Sequence, residues 1–391
     1  MSSTATESVG SDELRAALLT PPSTAGLTDR LTRLSDQAVT RGIDVVVVGP
    51  GADMRYLVGH AVASHERLTC LVVPADADPV LVVPTLERPG WNGTAAERLG
   101  IPIVTWTDGE DPYAVVAGLL SSDARTVAVD NYLPSVHALG LRGTVPGSEL
   151  TLAGAAIADL RMRKAPEEVA ALLAVGAAID RVQRRVGEWL RPGRTEREIA
   201  ADIAAAILDE GHIAADFVIV GSGPNGASPH HAASDRVVQA GELVVIDIGG
   251  PSPAGYYSDC TRTYLTSPPN DPQAAEVYEV VRAAQAAGVA AVRPGVTAES
   301  VDAAARAVIE DAGYGEYFIT RTGHGIGLEV HEHPYLVRGN DLPLQPGMAF
   351  SVEPGIYLPG RFGVRIEDIV IVTEDGGRLA NTAPTELTVL G

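Results

Sequence analysis

The chain has 391 residues, and 50 Asp and Glu against 29 Lys and Arg give a formal net charge of −21. This length provides for two or three domains, and the acidic excess argues against binding nucleic acid or an anionic membrane through an extended basic face. Two cysteines, Cys70 and Cys260, exclude a disulfide scaffold. No apolar run reaches the ~18 residues of a transmembrane helix. The first eight residues lack the pattern of a secretory signal, so we expect a loose tail on a soluble cytoplasmic protein.

Helices and strands are predicted to alternate through the first 155 residues. An amphipathic helix is expected over residues 24–40, a further helix is expected over 111–120, and Leu139 lies within a third. Strands are predicted at 43–48, 68–73, 80–83 and 127–130. This alternation favours an α/β layer on a mixed sheet. We interpret residues 1–155 as a scaffold domain, because they contain no recognisable chemical motif.

The second domain, residues 156–391, is predicted to contain a long helix near its start. Pro166 is followed by two acids, which suits the first turn of a helix running to about Leu190. This position after a basic run also supports the choice of a domain boundary near residue 155.

An internal repeat occupies much of the second domain, with its two copies offset by 102 residues. In each copy, Arg-Pro-Gly precedes a Thr suited to an N-cap, a helix, and a Gly suited to a C-cap. The predicted helices are Glu196–Glu210 and Ala298–Asp311, and a β-rich segment follows each, at Phe217–Val220 and Tyr317–Thr320. Two such halves predict a pseudo-symmetric α/β domain.

Each copy then carries a histidine-bearing loop and two acids in the same order. The loops contain His230 and His331, and a strand opened by Gly ends in an acid six residues later. A second acid follows twelve or fourteen residues further on. The four acids are Asp247 and Asp259 in the first copy and Glu353 and Glu367 in the second. We expect the acids of both halves to meet at the interface between them.

These acids follow or interrupt strongly apolar runs, where an unpaired charge would cost several kcal/mol. Any one of them could be satisfied by an arginine or by backbone donors. Four carboxylates together with His324, in a glycine-rich loop, fit a metal site better, because such ligands suit Mn²⁺, Co²⁺, Fe²⁺ or Zn²⁺. Four carboxylates are too negative for one divalent ion, so two ions in a hydrolytic arrangement are predicted.

Six motifs in this region resemble those of the pita-bread metallopeptidases, which include aminopeptidase P, prolidase and, more remotely, methionine aminopeptidase. The motifs are Ser222-Gly-Pro-Asn-Gly-Ala-Ser-Pro-His230, Ile246-Asp-Ile-Gly-Gly250, Ser258-Asp-Cys-Thr-Arg262, Gly323-His-Gly-Ile-Gly-Leu-Glu-Val-His-Glu332, Val352-Glu-Pro-Gly355 and Val364-Arg-Ile-Glu-Asp368. The resemblance covers essentially the whole chain. It implies an α/β fold in which a pita-bread catalytic domain with a pseudo-twofold repeat follows a smaller creatinase-type α/β domain.

The resemblance also implies the metal ligands. Asp247 would chelate one metal, His324 and Glu353 would bind the other, and Asp259 and Glu367 would bridge both. Two divalent ions are implied, with Mn²⁺ preferred and Co²⁺, Zn²⁺ or Fe²⁺ as alternatives.

The same resemblance implies roles for three further residues. His230 and His331 would contact the substrate carbonyl and the tetrahedral intermediate, and Arg365 would orient carboxylates or substrate. Glu353 could also move the proton of the attacking water to the leaving nitrogen. The implied reaction is hydrolysis of a peptide bond before proline, near a free amino terminus, by a homodimer of the aminopeptidase P or prolidase type.

Three alternatives stay open on sequence grounds. A metal-free hydrolase of the same fold could act on a guanidino substrate as creatinase does, and a catalytically inactive chain could serve as a binding module. Neither would need all five predicted ligands, and all five are present. The third alternative keeps the dimetal site and applies it to a non-peptide substrate.

Overall fold

The computed structural model describes residues 16–63, 65–145 and 147–390. These residues fall into two compact units, an N-terminal unit of Pro21–Arg161 and a C-terminal unit of residues 162–390 with residues 16–20. Within the described residues, no helix is both long enough and apolar enough to cross a membrane. The expected loose tail over the first eight residues lies outside the described part of the chain.

The N-terminal unit is built on a six-stranded mixed sheet with strand order β4-β3-β2-β1-β5-β6. The strand β1 lies near its centre, antiparallel to β2 and parallel to β5, and all four of its valines are buried. The predicted alternation and the mixed sheet are therefore observed. The strands are β1 Val45–Val48, β2 Cys70–Pro74, β3 Val80–Pro84, β4 Ile103–Trp106, β5 Thr126–Val129 and β6 Glu149–Leu152.

Helices cover this sheet, and local sequence fixes where they begin. Ser23 accepts a hydrogen bond from the Gly26 amide at the start of the first helix, and Asp111 caps the helix that begins at Pro112. The helices are α1 Thr24–Thr40, α2 Ala52–Val58, α3 Ala95–Arg98, α4 Pro112–Ala117, α5 Ser135–Thr144 and α6 Gly154–Arg161, with a 3₁₀ turn at Arg88–Trp91.

The last of these helices, α6, spans the predicted boundary near residue 155. One side chain and one main-chain carbonyl hold it to the rest of the N-terminal unit, because Arg161 forms a 2.6 Å ion pair with Asp53 and Tyr56 donates a hydrogen bond to the Leu160 carbonyl. The compact units accordingly divide after Arg161.

The helices of the C-terminal unit follow the predicted repeat. Thr195 and Glu198 form a capping box at the start of α8, whereas Thr297 occupies the equivalent N-cap without a side-chain hydrogen bond. Gly211 and Gly313, after the two helices, have φ angles of 99° and 83°, a region that favours glycine. The helices are α7 Pro166–Arg185, α8 Glu196–Asp209, α9 Ala274–Ala291 and α10 Ala298–Asp311, with 3₁₀ turns at Val186–Glu188, Gly223–Ala227 and Gly315–Tyr317.

Three sheets complete the C-terminal unit. One has the order β17-β9-β8-β7, a second has the order β11-β10-β12-β15-β16, and β13 pairs with β14. The strands are β7 Phe217–Ser222, β8 Leu243–Pro251, β9 Tyr257–Leu265, β10 Gly323–Gly325, β11 Glu332–Leu336, β12 Ala349–Val352, β13 Gly355–Leu358, β14 Phe362–Arg365, β15 Asp368–Thr373, β16 Gly376–Leu379 and β17 Thr388–Val389. Each half of the repeat therefore contributes a helix pair and a sheet, in agreement with the predicted pseudo-symmetry.

One predicted element is wrong. Residues Tyr317–Thr320 do not form a strand, because a 3₁₀ turn occupies Gly315–Tyr317 and the next strand begins only at Gly323. The guanidinium of Arg306 donates hydrogen bonds to the Phe318 and Thr320 carbonyls, at 3.1 and 3.0 Å, and also stacks on the Phe318 ring. A side chain therefore satisfies carbonyls that a neighbouring strand would otherwise bind.

Candidate active site

All eight predicted site residues line one cavity of about 980 Å³ in the C-terminal unit. They come from segments separated by up to 137 residues of chain, from 230 to 367. The residues are His230, Asp247, Asp259, His324, His331, Glu353, Arg365 and Glu367.

The two sheets deliver the four acids and His324 to this cavity. Asp247 and Asp259 lie on the antiparallel strands β8 and β9, where Asp259 is opposite Gly249 and thus two residues from Asp247 in register. His324 lies on β10, beside the strand β12 that Glu353 directly follows. Glu367 follows β14, and its amide donates to the Thr261 carbonyl of β9. That bond ties the acid of the second half to the strand of the first.

The geometry of these groups fits a metal site. His324 Nε2 lies 3.2 Å from Glu353 Oε1 and 3.6 Å from Asp259 Oδ2. Ligand atoms of Asp259, His324 and Glu367 all lie within 4.8 Å of one another. One oxygen each of Asp247, Asp259 and Glu367 is buried without a hydrogen-bond partner, an arrangement that is costly unless a cation binds there.

Electrostatics point the same way. Burial, followed by repulsion from neighbouring carboxylates, raises the pKa values of Asp259 and Glu367 well above the usual range. Burial also acts to raise the pKa of Glu353, but the hydrogen bond and charge interaction with His324, together with Arg365 and Ser351, outweigh burial and lower that pKa. Divalent cations would relieve the repulsion among these carboxylates.

Arg365 is the buried cation of the site. Its guanidinium donates to Asp247 Oδ2 at 2.7 Å, to the Tyr357 hydroxyl at 2.8 Å and to Thr261 Oγ1 at 3.1 Å. Thr261 in turn donates to Glu367 Oε2 at 2.7 Å. Arg365 therefore holds one oxygen of Asp247 directly and reaches Glu367 through a hydroxyl.

The two histidines that are not among the predicted metal ligands face the cavity beside this cluster. The His331 ring lies edge-on to the His324 ring, with centroids 4.2 Å apart. Burial, followed by the neighbouring His324, lowers the pKa of His331 to about 4, so its imidazole is neutral near pH 7. His230 is exposed on a loop that also lines the cavity.

Several cavity residues are absent from the sequence prediction. Tyr357, Arg321 and His231 line the cavity, and the buried Glu196 binds His231 from behind at 2.8 Å. The sequence signal for Tyr357 is weak, because its link to Arg365 requires the β13–β14 pairing. Arg321 and His231 each lie close in sequence to a predicted site histidine, and this proximity is the sequence signal that could have indicated them as cavity residues.

Comparison with known proteins identifies the family. Residues 170–374 match metallopeptidase family M24, and residues 30–163 match the Creatinase/Prolidase N-terminal domain. The chain belongs to metallopeptidase family M24. The predicted family and the two-domain pita-bread fold are thereby confirmed, and the chain is a hydrolase of a family that uses divalent metal ions. This result goes against the alternative of a catalytically inactive binding module.

Relatives in the M24 family resemble the chain over almost its full length. The probable dipeptidase PepE of Mycobacterium tuberculosis is 52% identical over 92% of this chain and 96% of its own. The Xaa-Pro dipeptidase of Lactobacillus helveticus is 39% identical over 89% of this chain and 95% of its own. The crystal structure of dipeptidase PepE from Mycobacterium ulcerans has a TM-score of 0.91 at 52% identity and covers 95% of this chain and 100% of its own.

Proposed function

We propose that this chain is a dinuclear-metal Xaa-Pro dipeptidase. The observation that carries the proposal is the set of buried, unpartnered carboxylate oxygens that face one cavity beside His324. Two divalent ions would satisfy those oxygens and neutralise the four carboxylates. The proposed ligands are Asp247, Asp259, His324, Glu353 and Glu367.

The proposed chemistry divides among the residues of the cavity. Divalent ions at this site would polarise the scissile carbonyl and make a water molecule more acidic. Glu353 would accept the water proton and pass it to the leaving nitrogen. His331, neutral near pH 7, can donate one N–H to the developing oxyanion, and His230 lines the same cavity as a second donor. Arg365 would keep Asp247 oriented toward the metals.

Arg321 favours a dipeptide over a longer substrate. Its guanidinium lies 4.4 Å from the centroid of the Tyr335 ring and lines the cavity, and it has no acidic partner among the residues described. A dipeptide carries a free carboxylate immediately after the scissile bond, and a guanidinium binds such a group through charge-assisted hydrogen bonds. The names of the relatives, dipeptidase and Xaa-Pro dipeptidase, agree with this preference.

The proline specificity rests on the relatives and on the cavity wall. Phe217, Ile219 and Val330 line the cavity with apolar surface that can receive a pyrrolidine ring. Three further parts of the proposal rest on the family resemblance alone. They are Mn²⁺ as the bound ion, a homodimeric assembly and a cytoplasmic location.

A release assay tests the proposed function. The protein is stripped with a chelator, dialysed and supplied with Mn²⁺, and amino-acid release is measured from Xaa-Pro dipeptides, matched Xaa-Ala dipeptides and Xaa-Pro-Yaa tripeptides. We expect metal-dependent cleavage of the Xaa-Pro dipeptides above all others. Full activity of the stripped protein would overturn the metal mechanism. A preference for tripeptides would instead favour an aminopeptidase.

A further inference from the structure

A buried carboxylate outside the cavity organises the loop that carries His230. Glu196, the first residue of α8, is completely buried and is not among the cavity-lining residues. Its Oε1 accepts from the Ser222 amide at 2.8 Å and the Ser222 hydroxyl at 2.7 Å. Its Oε2 accepts from the Ser234 amide at 3.1 Å, the Ser234 hydroxyl at 2.6 Å and His231 Nε2 at 2.8 Å. The Asn225 side-chain amide contacts both oxygens, at 3.0 and 3.1 Å.

These donors keep the carboxylate charged. Burial acts to raise the pKa of Glu196, but the hydrogen bonds from Ser222, Ser234 and His231 outweigh burial and lower the pKa to about 2. The anion is therefore stabilised by donors from one segment, residues 222–234. Such an anion in a dry site strongly favours the loop conformation that supplies all of its donors.

His230 lies inside the segment that Glu196 holds. Its neighbour His231 is bound through Nε2, and Asn225, Ser222 and Ser234 anchor the chain on either side. The His231 amide also donates to the Ser228 carbonyl at 3.2 Å, which closes a tight turn around His230. His230 itself is exposed on the cavity side.

The second half of the repeat contains a comparable device. Asp302, on α10, is buried and accepts from the Thr322 hydroxyl at 2.7 Å. It also binds Arg306 through two 2.9 Å contacts, and Arg306 holds the Phe318 and Thr320 carbonyls. Thr322 lies two residues before His324. In each half, an acid of the repeat helix therefore anchors the segment that leads to a histidine of the cavity.

We propose that Glu196 is a positioning residue of the active site, whose carboxylate fixes the 222–234 loop so that His230 reaches the substrate. The inference rests on the proposed function, because it takes His230 as a group that contacts the reacting carbonyl. Glu196 contacts none of the five proposed metal ligands, so its effect should appear in turnover and leave metal content intact.

The conservative variant Glu196→Gln tests this role sharply. Both carboxylate oxygens accept from a backbone amide, of Ser222 and of Ser234, so either orientation of the glutamine places an NH₂ group against an N–H donor. We expect kcat for an Xaa-Pro dipeptide to fall about 10- to 100-fold, with KM changing less than about threefold, because a shift of about 1 Å in a catalytic group has an effect of this size. Bound metal, measured by elemental analysis, should equal that of the wild type.

A double-mutant cycle separates positioning from general loss of structure. If Glu196 acts through His230, E196Q should cost less than about threefold in an H230A background. The matched control is Asp180→Asn, which alters another fully buried acid that binds Thr382 Oγ1 and Asn381, at 2.9 and 3.3 Å. D180N should reduce activity by the same factor in both backgrounds.

Each outcome bears on the inference. An E196Q loss of equal size with and without His230 would overturn it, as would full activity of folded E196Q. Should E196Q fail to fold, Ser234→Ala removes one 2.6 Å donor and should show the same non-additivity with H230A at smaller amplitude. Additive loss in S234A would then refute the positioning role. Absence of metal-dependent Xaa-Pro hydrolysis in the wild type would instead refute the proposed function.

Discussion

The proposed contact between Arg321 and the substrate carboxylate leads to a quantitative prediction. Replacing Arg321 with Gln removes a cation that lines the cavity and that the Tyr335 ring holds in place. A hydrogen bond to a charged group contributes about 1.5–3 kcal/mol, which corresponds to a factor of about 10–100 in kcat/KM. A substrate whose terminal carboxylate is replaced by a carboxamide cannot form that charged contact. The selectivity for acid over amide should therefore be the quantity that changes.

The assay compares an Xaa-Pro dipeptide with the corresponding Xaa-prolinamide under saturating metal. We expect the wild type to prefer the acid, R321Q to lose about 10- to 100-fold of that preference, and R321K to recover part of it because the charge remains. The control is Arg338→Gln, because that side chain is 77% exposed and its guanidinium lies 3.6 Å from Glu310. An R321Q protein with the wild-type ratio of acid to amide would refute the reasoning, since damage to folding would lower both rates together.

Further predictions concern the metal ligands and the buried ion pairs. Glu353→Gln should lower kcat by about 10²–10⁴ in a protein that remains folded, and near-normal turnover would contradict the assignment of Glu353 as the proton acceptor. Lys164→Met should lower the free energy of unfolding by about 3–5 kcal/mol in denaturant titration, because Lys164 Nζ lies 2.6 Å from Glu332 Oε1 and their side chains are only 1% and 7% exposed. A decrease in the free energy of unfolding below about 1 kcal/mol would mean that this pair stabilises the fold no more than a surface salt bridge does. Asp302→Asn should release the segment before His324 and weaken metal retention during dialysis. Unchanged retention would show that Thr322 and Arg306 hold this segment in place without the Asp302 carboxylate.

Much of the fold follows from local sequence. The helix over 24–40 begins after Ser23 and buries Leu27, Leu31 and Leu34 at helical spacing, so pattern and cap agree on its limits. The central valine run of β1 is apolar on both faces and could only be a buried strand or a short helix segment. These elements depend on neighbours within a few residues, which is the range over which sequence patterns are informative.

Elements that depend on distant partners are less predictable. Tyr317–Thr320 has the apolar and β-branched residues of a strand. The Arg306 guanidinium, however, donates hydrogen bonds to two carbonyls of this segment, which a neighbouring strand would otherwise bind. In the sequence, Glu196 has the pattern of an ordinary acid in the first turn of a helix. Its hydrogen-bond donors, from residues 222–234, come close to it only in the folded chain. The predicted metal ligands differ from both cases, since a carboxylate in an apolar run is conspicuous in sequence before its partners are known.

The acid cluster also predicts how metal affects stability. Asp259 and Glu367 have raised pKa values in the folded protein, so without metal their contribution to stability is complete below their unfolded pKa values near pH 4 and is lost as the pH rises through the folded values. Bound divalent ions reverse this sign because they require the ionised carboxylates. At about 100 times its dissociation constant, a metal that binds only the folded state adds about 2.7 kcal/mol, or about 5–10 °C in Tm for a unit of this size. We therefore expect the Tm difference between Mn²⁺-loaded and chelator-stripped protein to be larger at pH 8 than at pH 5.5, as measured by differential scanning fluorimetry. A difference that is equal or smaller at pH 8 would show that the carboxylates are not the groups that bind the ion.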